Sequence, residues 1–302
     1  MCIRDRLSAA CVAAASALSA TTQTPSTRVK LPQLKAEAFR HTLDKDLTAS
    51  VQRSPLRFLE TAVRTGIAPP LEQMTRLDNL ATGVKVTERQ YPELHASFQE
   101  AIACLGGLDP QPELFVKSDP RPNAYTLAVQ GGSPFVVVTS ALVDTFSPAE
   151  VQAVLAHELG HLVCGHTENR IYLKAMLAYA ELILLAFLDP TGLLTLLGAM
   201  GFQNTAELFL AKYSRDNETE ADATGLKIAA LACYDVRRGT HFMRKLSEAT
   251  GSRPTSWWAT HPATEDRYAD LRSSSLGVHE NVYGSHCTAV GKALQRLVTV
   301  PR

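Results

Sequence analysis

The chain predicts a mainly α fold with a small β-sheet (α+β), and three stretches carry that expectation. Ser147-Pro148-Ala149-Glu150 opens an apolar helical run, Phe135-Val136-Val137-Val138 follows a glycine turn, and a second long helical stretch spans about Thr205 to Leu231. A length of 302 residues admits one large domain or two small ones, and either buries a sizeable core. Hydrophobic residues at 45% and charged residues at 20% place the chain among globular proteins. Thirty basic side chains balance thirty acidic ones, and no Lys/Arg run stands out, so nothing in the charge points to nucleic acid.

Taken in order, the first thirty residues are acid-poor and rich in Ala, Ser and Thr, with Arg28 and Lys30 following. That composition suits an organelle transit peptide. Leu7 to Ala20 also suits a weak signal-peptide apolar region, and a disordered tail is the plainer alternative; Met1 to Arg6 resemble neither start. From Leu31 to about Ile102 the pattern is helical, with candidate helices at Lys35 to Val51, Pro55 to Arg64 and Pro92 to Leu105. Gly106-Gly107 and Pro110, Pro112 and Pro120 break it. Two extended segments, Tyr125 to Val129 and Pro134 to Thr139, flank Gln130-Gly131-Gly132-Ser133 and form a hairpin candidate. Ser147 is placed to cap the next helix, Pro148 to occupy its first position and Glu150 to complete a capping box, with an end near Gly165. The six cysteines are scattered without a C-x-x-C pair and read mostly as buried or incidental thiols. No repeat or low-complexity linker divides the chain, so one domain is the simplest account.

The chemistry sits at His157-Glu158-Leu159-Gly160-His161. Residues four apart share a helix face, so the two imidazoles can bind one metal ion. Glu158 stands beside them to take a proton from a water whose pKa the metal lowers. Val151, Val154, Leu155, Leu162 and Val163 supply the buried flank; the competing reading is a surface helix with two unrelated histidines. The third ligand decides the subclass. A metzincin needs Gly three residues and His six residues after His161, where this chain has Cys164 and Thr167. A thermolysin-like ligand falls at Glu181, which has no acidic partner four residues on. The better candidate is Glu218, with Asp222 four residues later as a carboxylate behind a ligand; Glu220 reads as a solvated charge. A purely structural charged helix remains the alternative.

Asn123-Ala124, the Val136-Val137-Val138 strand, H-E-L-G-H with Gly165-His166, Ser-Arg-x-x-Glu-x-x-Ala-Asp from Ser214, and Thr260-His261-Pro262 with Arg267 occur in this order. The series resembles the zinc metallopeptidases related to HtpX, the CAAX prenyl protease and the mitochondrial Oma-type protease, over roughly Pro92 to Leu271, and is similar to plastid and cyanobacterial members. The resemblance implies a zincin-like domain with an active-site helix and a glutamate helix. It implies one Zn2+ per chain held by His157, His161 and Glu218, with Asp222 behind them. It also implies that His261 lies near the active site to stabilise an oxyanion, with Arg267 bracing the acidic helix; a His-Pro helix start and a surface ion pair are the plainer readings. In similar enzymes an edge strand pairs with the substrate backbone, a role that would fall to Val136, Val137 and Val138 unless they form a core strand.

The expected organisation is a targeting segment or tail at 1–30, a single metallopeptidase domain at 31–285, and a C-terminal tail at 286–302. Within the domain, 31–105 is a helical N-terminal part and 106–285 the zinc-binding core. Ile171 to Leu188, continued by Thr191 to Phe202, is the most hydrophobic stretch, but Lys174 and Glu181 oppose a simple span. A buried helical hairpin, a membrane-surface contact through 171–202 and a transmembrane hairpin are the three readings. The expected function is a metalloendopeptidase acting on protein or peptide substrates in an organelle, plastid ahead of mitochondrion, in protein quality control. A silent zinc-binding chaperone or adaptor and an aminopeptidase are the alternatives.

Overall fold

The computed structural model describes residues 68–128 apart from 107, and 133–177 apart from 168, 172, 175 and 176. It also describes 214–250, 261, 267–279 and the single positions 53, 61 and 287. Helix α1 (Ala68–Thr82) leads directly into β1 (Gly83–Lys85), followed by α2 (Pro92–Cys104), β2 (Glu113–Lys117), β3 (Ala124–Leu127) and β4 (Phe135–Thr139). Then come α3 (Ser140–Thr145) and α4 (Pro148–Cys164). Residues 214–231 form α5. The short α6 (Val236–Gly239), α7 (His241–Thr250) and α8 (Arg267–Val278) complete the described helices. The fold is mainly α with one small sheet, as the sequence predicts.

The sheet runs β1-β2-β4-β3, with β2 and β4 parallel and the other pairs antiparallel. β3 and β4 form the expected hairpin, with Tyr125 opposite Val137 and Leu127 opposite Phe135. Side chains alternate across a strand, so β4 divides its apolar run between two faces. Val136 and Val138 join the main core with Leu114, Val116, Leu155 and Leu159. Phe135 and Val137 join Phe115 on the other face, where Phe115 and Phe135 meet edge to face at 6.2 Å. A strand buried on both faces reads as an unbroken hydrophobic run.

This placement corrects the substrate-binding role expected for Val136, Val137 and Val138. β4 is paired on both sides and wholly buried, so its backbone groups are committed to β2 and β3. The outer strand beside α4 is β3. The sequence hides this because the five residues of β2, Glu113–Lys117, lie between Pro112 and Pro120, which break the pattern.

Helix α4 begins and ends where its sequence signals place it. Glu150 Oε2 accepts hydrogen bonds from the Ser147 amide at 2.8 Å, the Ser147 hydroxyl at 2.7 Å and Lys245 Nζ at 2.7 Å. At the other end Gly165 adopts a left-handed φ of 72°, where the lack of a Cβ removes the steric penalty. Helix α5 approaches α4 unusually closely. A Cβ at Gly160 would lie 2.9 Å from the Ala221 carbonyl oxygen, and one at Gly225 would lie 2.9 Å from both Cα and N of His157. Glycine at those two positions lets the helix backbones touch.

One cysteine pair departs from expectation: Cys233, just beyond α5, is joined to Cys287 in a disulfide. Their separation of 54 residues leaves no local sequence pattern to announce the bond. Cys104 and Cys164 remain thiols, and Cys2 and Cys11 lie outside the described residues. Among the described residues no helix is long and apolar enough to cross a membrane. Most of 171–202, the predicted helix at Lys35 to Val51, and all of Pro55 to Arg64 except residue 61 fall outside them, as does 205–213 of the predicted long helix.

Candidate metal centre

Helix α4 turns His157 and His161 to one side, and the close approach of α5 brings Glu218 against them. The two Nε2 atoms face each other at 3.1 Å, and Glu218 lies 3.5 Å from that of His157 and 3.4 Å from that of His161. Donor atoms of His157, His161, Glu218 and His261 all lie within 4.8 Å of one another, and all four residues are buried. Glu181 lies outside the described residues.

The far nitrogens fix how these imidazoles are protonated. His157 Nδ1 is 2.9 Å from Asp222 Oδ1, and a bare nitrogen lone pair facing a carboxylate would be repelled, so the proton belongs on Nδ1. Nε2 is then the nitrogen turned towards the cluster. Arg267 holds Asp222 through two bonds, Nε to Oδ2 at 2.6 Å and a terminal nitrogen to Oδ1 at 3.0 Å, and reaches Glu218 at 2.8 Å. It is buried, so the bland alternative of a surface ion pair does not describe it. Burial opposes ionisation of Asp222, but Arg267 and His157 hold its pKa below the ordinary carboxylate value.

Glu158 points into the same pocket. Its Oε2 accepts from the Thr126 hydroxyl at 2.7 Å, and its Oε1 lies 3.3 Å from His261 Nε2. Burial raises its pKa, yet the charge and hydrogen bond of His261 prevail and hold it well below the ordinary carboxylate value. His261 meets oxygen on both sides: Nδ1 lies 3.2 Å from both oxygens of Glu218, and Nε2 is 3.2 Å from the Ala124 carbonyl. Against burial, Glu218 and Glu158 lift it to about 10. An imidazole with acceptors at both nitrogens donates from both, so in this arrangement His261 is a cationic donor. Burial lowers His161 to about 4, with Glu218 opposing, which leaves it neutral.

The residues fit a divalent cation. Glu158, Glu218 and Asp222 are three buried carboxylates, Arg267 pairing with the last two and His261 with the first two, and two imidazole nitrogens converge on the same point. Buried charge without compensation is strongly unfavourable, and a +2 ion between the nitrogens and Glu218 removes the deficit. Catalytic zinc sites use three protein ligands of these types and keep a fourth position open, whereas structural sites close it. The adjoining cavity of about 270 Å³ is lined by Tyr125 and Thr126 of β3, Thr167, Arg170, Asn217 and the site residues.

Sequence reasoning missed two features here. Glu220, read as solvated, has a side chain only 8% exposed and lies 3.2 Å from His166 Nε2. The only signal was His166 itself, which the left-handed turn at Gly165 folds back beneath His161. Thr126, the partner of Glu158, had no signal, because it lies 32 residues away on another element.

A sequence profile of peptidase family M48 matches residues 88–275. The chain is 36% identical over 197 residues to the plastoglobule-localized metallopeptidase 48 of Arabidopsis thaliana, covering 65% of this chain and 52% of that protein. It is 33% identical over 165 residues to the mitochondrial metalloendopeptidase OMA1 of the same plant, covering 54% and 32%. To the protease HtpX of Nitrosococcus oceani it is 26% identical over 233 residues, covering 64% and 76%. The chain thus spans about half the length of the first of these relatives and a third of the second. A crystal structure of S. mikatae Ste24p overlaps 77% of this chain and 61% of its own at a TM-score of 0.47 and 17% identity.

Proposed function

The chain belongs to peptidase family M48, and from that premise we propose that it is a zinc-dependent endopeptidase with a zincin-like arrangement of α4 and α5. The observation that carries the reading is the convergence of donor atoms of buried His157, His161 and Glu218 beside a pocket that Glu158 also lines. His157, His161 and Glu218 would hold the metal, leaving a position for water or substrate. Zinc, when bound, supplies Lewis acidity and lowers the pKa of water.

The remaining work falls to the chain's own side chains. Glu158, held by Thr126 and ionised, accepts the proton of the attacking water and returns it to the departing amine nitrogen. His261 presents N–H groups beside Glu158 and donates to the oxygen on which charge develops. Arg267 and Asp222 keep Glu218 and His157 in place. Protein or peptide chains are the substrates, and the catalytic unit is the proposed domain at 31–285. The names of the plant relatives favour an organelle, plastid ahead of mitochondrion, and protein quality control there as the role. Contact of 171–202 with a membrane is a further part of this reading, to be checked by flotation with lipid vesicles.

The test is Glu158→Gln with unfolded casein and an N-terminally blocked peptide library. Cleavage should fall by about 10²–10⁴-fold, the range for loss of a general acid–base group, with one zinc per chain retained. Undiminished cleavage would refute the assignment. Cleavage of unblocked peptides alone indicates an aminopeptidase, and full zinc loading without turnover by the parent chain indicates a binding protein. Zinc content of Glu218→Gln beside Glu181→Gln checks the third ligand: the metal should be lost from the first and kept by the second.

A further inference from the structure

Behind the metal centre lies a second buried group, Cys164, His166 and Glu220, whose donor atoms also lie within 4.8 Å of one another. His166 Nδ1 is 2.8 Å from His161 Nδ1, and His166 Nε2 is 3.2 Å from Glu220 Oε2. A second soft-metal site is one way to read three such ligands. The hydrogen bonds argue otherwise. Both His166 nitrogens are already engaged, one by an imidazole and one by a carboxylate, so neither lone pair is available to a cation while the contacts stand. Cys164 Sγ lies 3.8 Å from Thr224 Oγ1 on the neighbouring helix.

Proton positions propagate along this row from its acidic end. The Glu220 carboxylate requires a hydrogen on His166 Nε2, because a lone pair there would face negative charge. A neutral His166 with its proton on Nε2 has a bare Nδ1, and that atom must accept. Among the described residues the group facing it at hydrogen-bond distance is His161 Nδ1, which must therefore carry a proton. A neutral His161 protonated at Nδ1 leaves Nε2 bare, and Nε2 is the atom turned towards His157 and Glu218. His157 obtains the same result directly, from the carboxylate of Asp222 at 2.9 Å.

We infer that His166 and Glu220 are positioning residues for the metal centre: a two-member relay that fixes the tautomer and ring direction of His161, as Asp222 does for His157. The inference rests on the reading of His161 as a zinc ligand. It assigns a task to a glutamate two residues after the proposed ligand Glu218, on the α5 flank that the sequence left to solvent. Carboxylates behind metal-bound histidines usually act by direct contact, and their loss weakens metal binding by about 10–100-fold. Here an imidazole bridges the gap, because the turn at Gly165 places His166 between His161 and α5.

The experiment measures zinc affinity of the full chain by competition with a chromophoric chelator, with circular dichroism and the zinc-free thermal midpoint as fold controls. His166→Phe should bind zinc about 10–100-fold more weakly. His166→Asn, whose amide oxygen can still accept from His161 Nδ1, should recover most of that loss, which a merely space-filling role would not allow. Glu220→Leu should weaken zinc binding in the same direction and serves as the test if His166→Phe fails to fold. Parent-like zinc affinity in both His166→Phe and Glu220→Leu overturns the relay. Two zinc ions per parent chain, one of them lost in His166→Phe, also overturn it by making His166 a ligand. A parent chain that binds no zinc refutes the metal-centre reading itself, a distinct result.

Discussion

Replacing Gly225 with Ala tests the contact on which the site depends. The new Cβ would sit 2.9 Å from His157 Cα and N and 3.1 Å from the Ala156 carbonyl carbon. Carbon atoms pack best at about 3.5–4.0 Å, so the contact is short by about 0.6 Å or more. The obstacle is helix backbone, not the end of a flexible side chain, and only movement of α5 away from α4 relieves it. Metal–ligand distances tolerate about ±0.2 Å, so a shift of that size at Glu218 is enough to spoil the set. Overpacking costs about 1–3 kcal/mol, while Ala in place of Gly within a helix returns about 0.5–1 kcal/mol. The net effect on zinc-free stability is therefore modest, whereas zinc affinity should fall by at least tenfold. Chelator competition and chemical denaturation, run on the same preparation, separate the two. A Gly225→Ala protein that binds zinc like the parent and melts higher would refute the close-approach argument.

Other consequences are equally direct. Arg267→Met leaves Asp222 and Glu218 buried without their guanidinium, and should destabilise the zinc-free protein by about 3–5 kcal/mol in urea unfolding; a loss under 1 kcal/mol would contradict the assignment. Thr126→Val removes a hydrogen bond to a charged group, worth about 1.5–3 kcal/mol, so kcat should drop by about 10–100-fold with KM little changed and Thr126→Ser largely active. An equal loss in the serine variant would argue against hydroxyl positioning. Burial tends to raise the pKa of Glu150, but Lys245 and Ser147 hold it below the ordinary value of 4.5. Its contribution to stability is therefore complete above that value and is lost as pH falls through the lower, folded-state pKa. Glu150→Gln should flatten the acid limb of a stability–pH curve; an unchanged limb would show that other carboxylates control it.

Much of the active-site helix is legible in the sequence because its determinants are local. The Ser147-Glu150 cap, Pro148, the i to i+4 spacing of His157 and His161, and Gly165 lie within nineteen residues and act through backbone geometry alone. The glycine turn and the apolar run from Phe135 to Val138 likewise expose the β3–β4 hairpin. Spacing also nominates Glu218 and Asp222, because both lie on one helix face. What the sequence could not decide is whatever depends on which segments meet. Four hydrophobic residues in a row do not say whether a strand is central or at an edge, and pairing with β2 settles that for β4. Glu220 has the composition of a surface charge until α4 places His166 beside it. Thr126, the Cys233–Cys287 bond and the two interhelical glycines are long-range matters, governed by contact and invisible to periodicity. The sequence by itself nominated a helix with two candidate metal-binding histidines and a candidate base beside them. Tertiary structure brought Glu218 against that helix and decided which side chains surround it and which strand borders the pocket, because those depend on close packing between elements far apart in the chain.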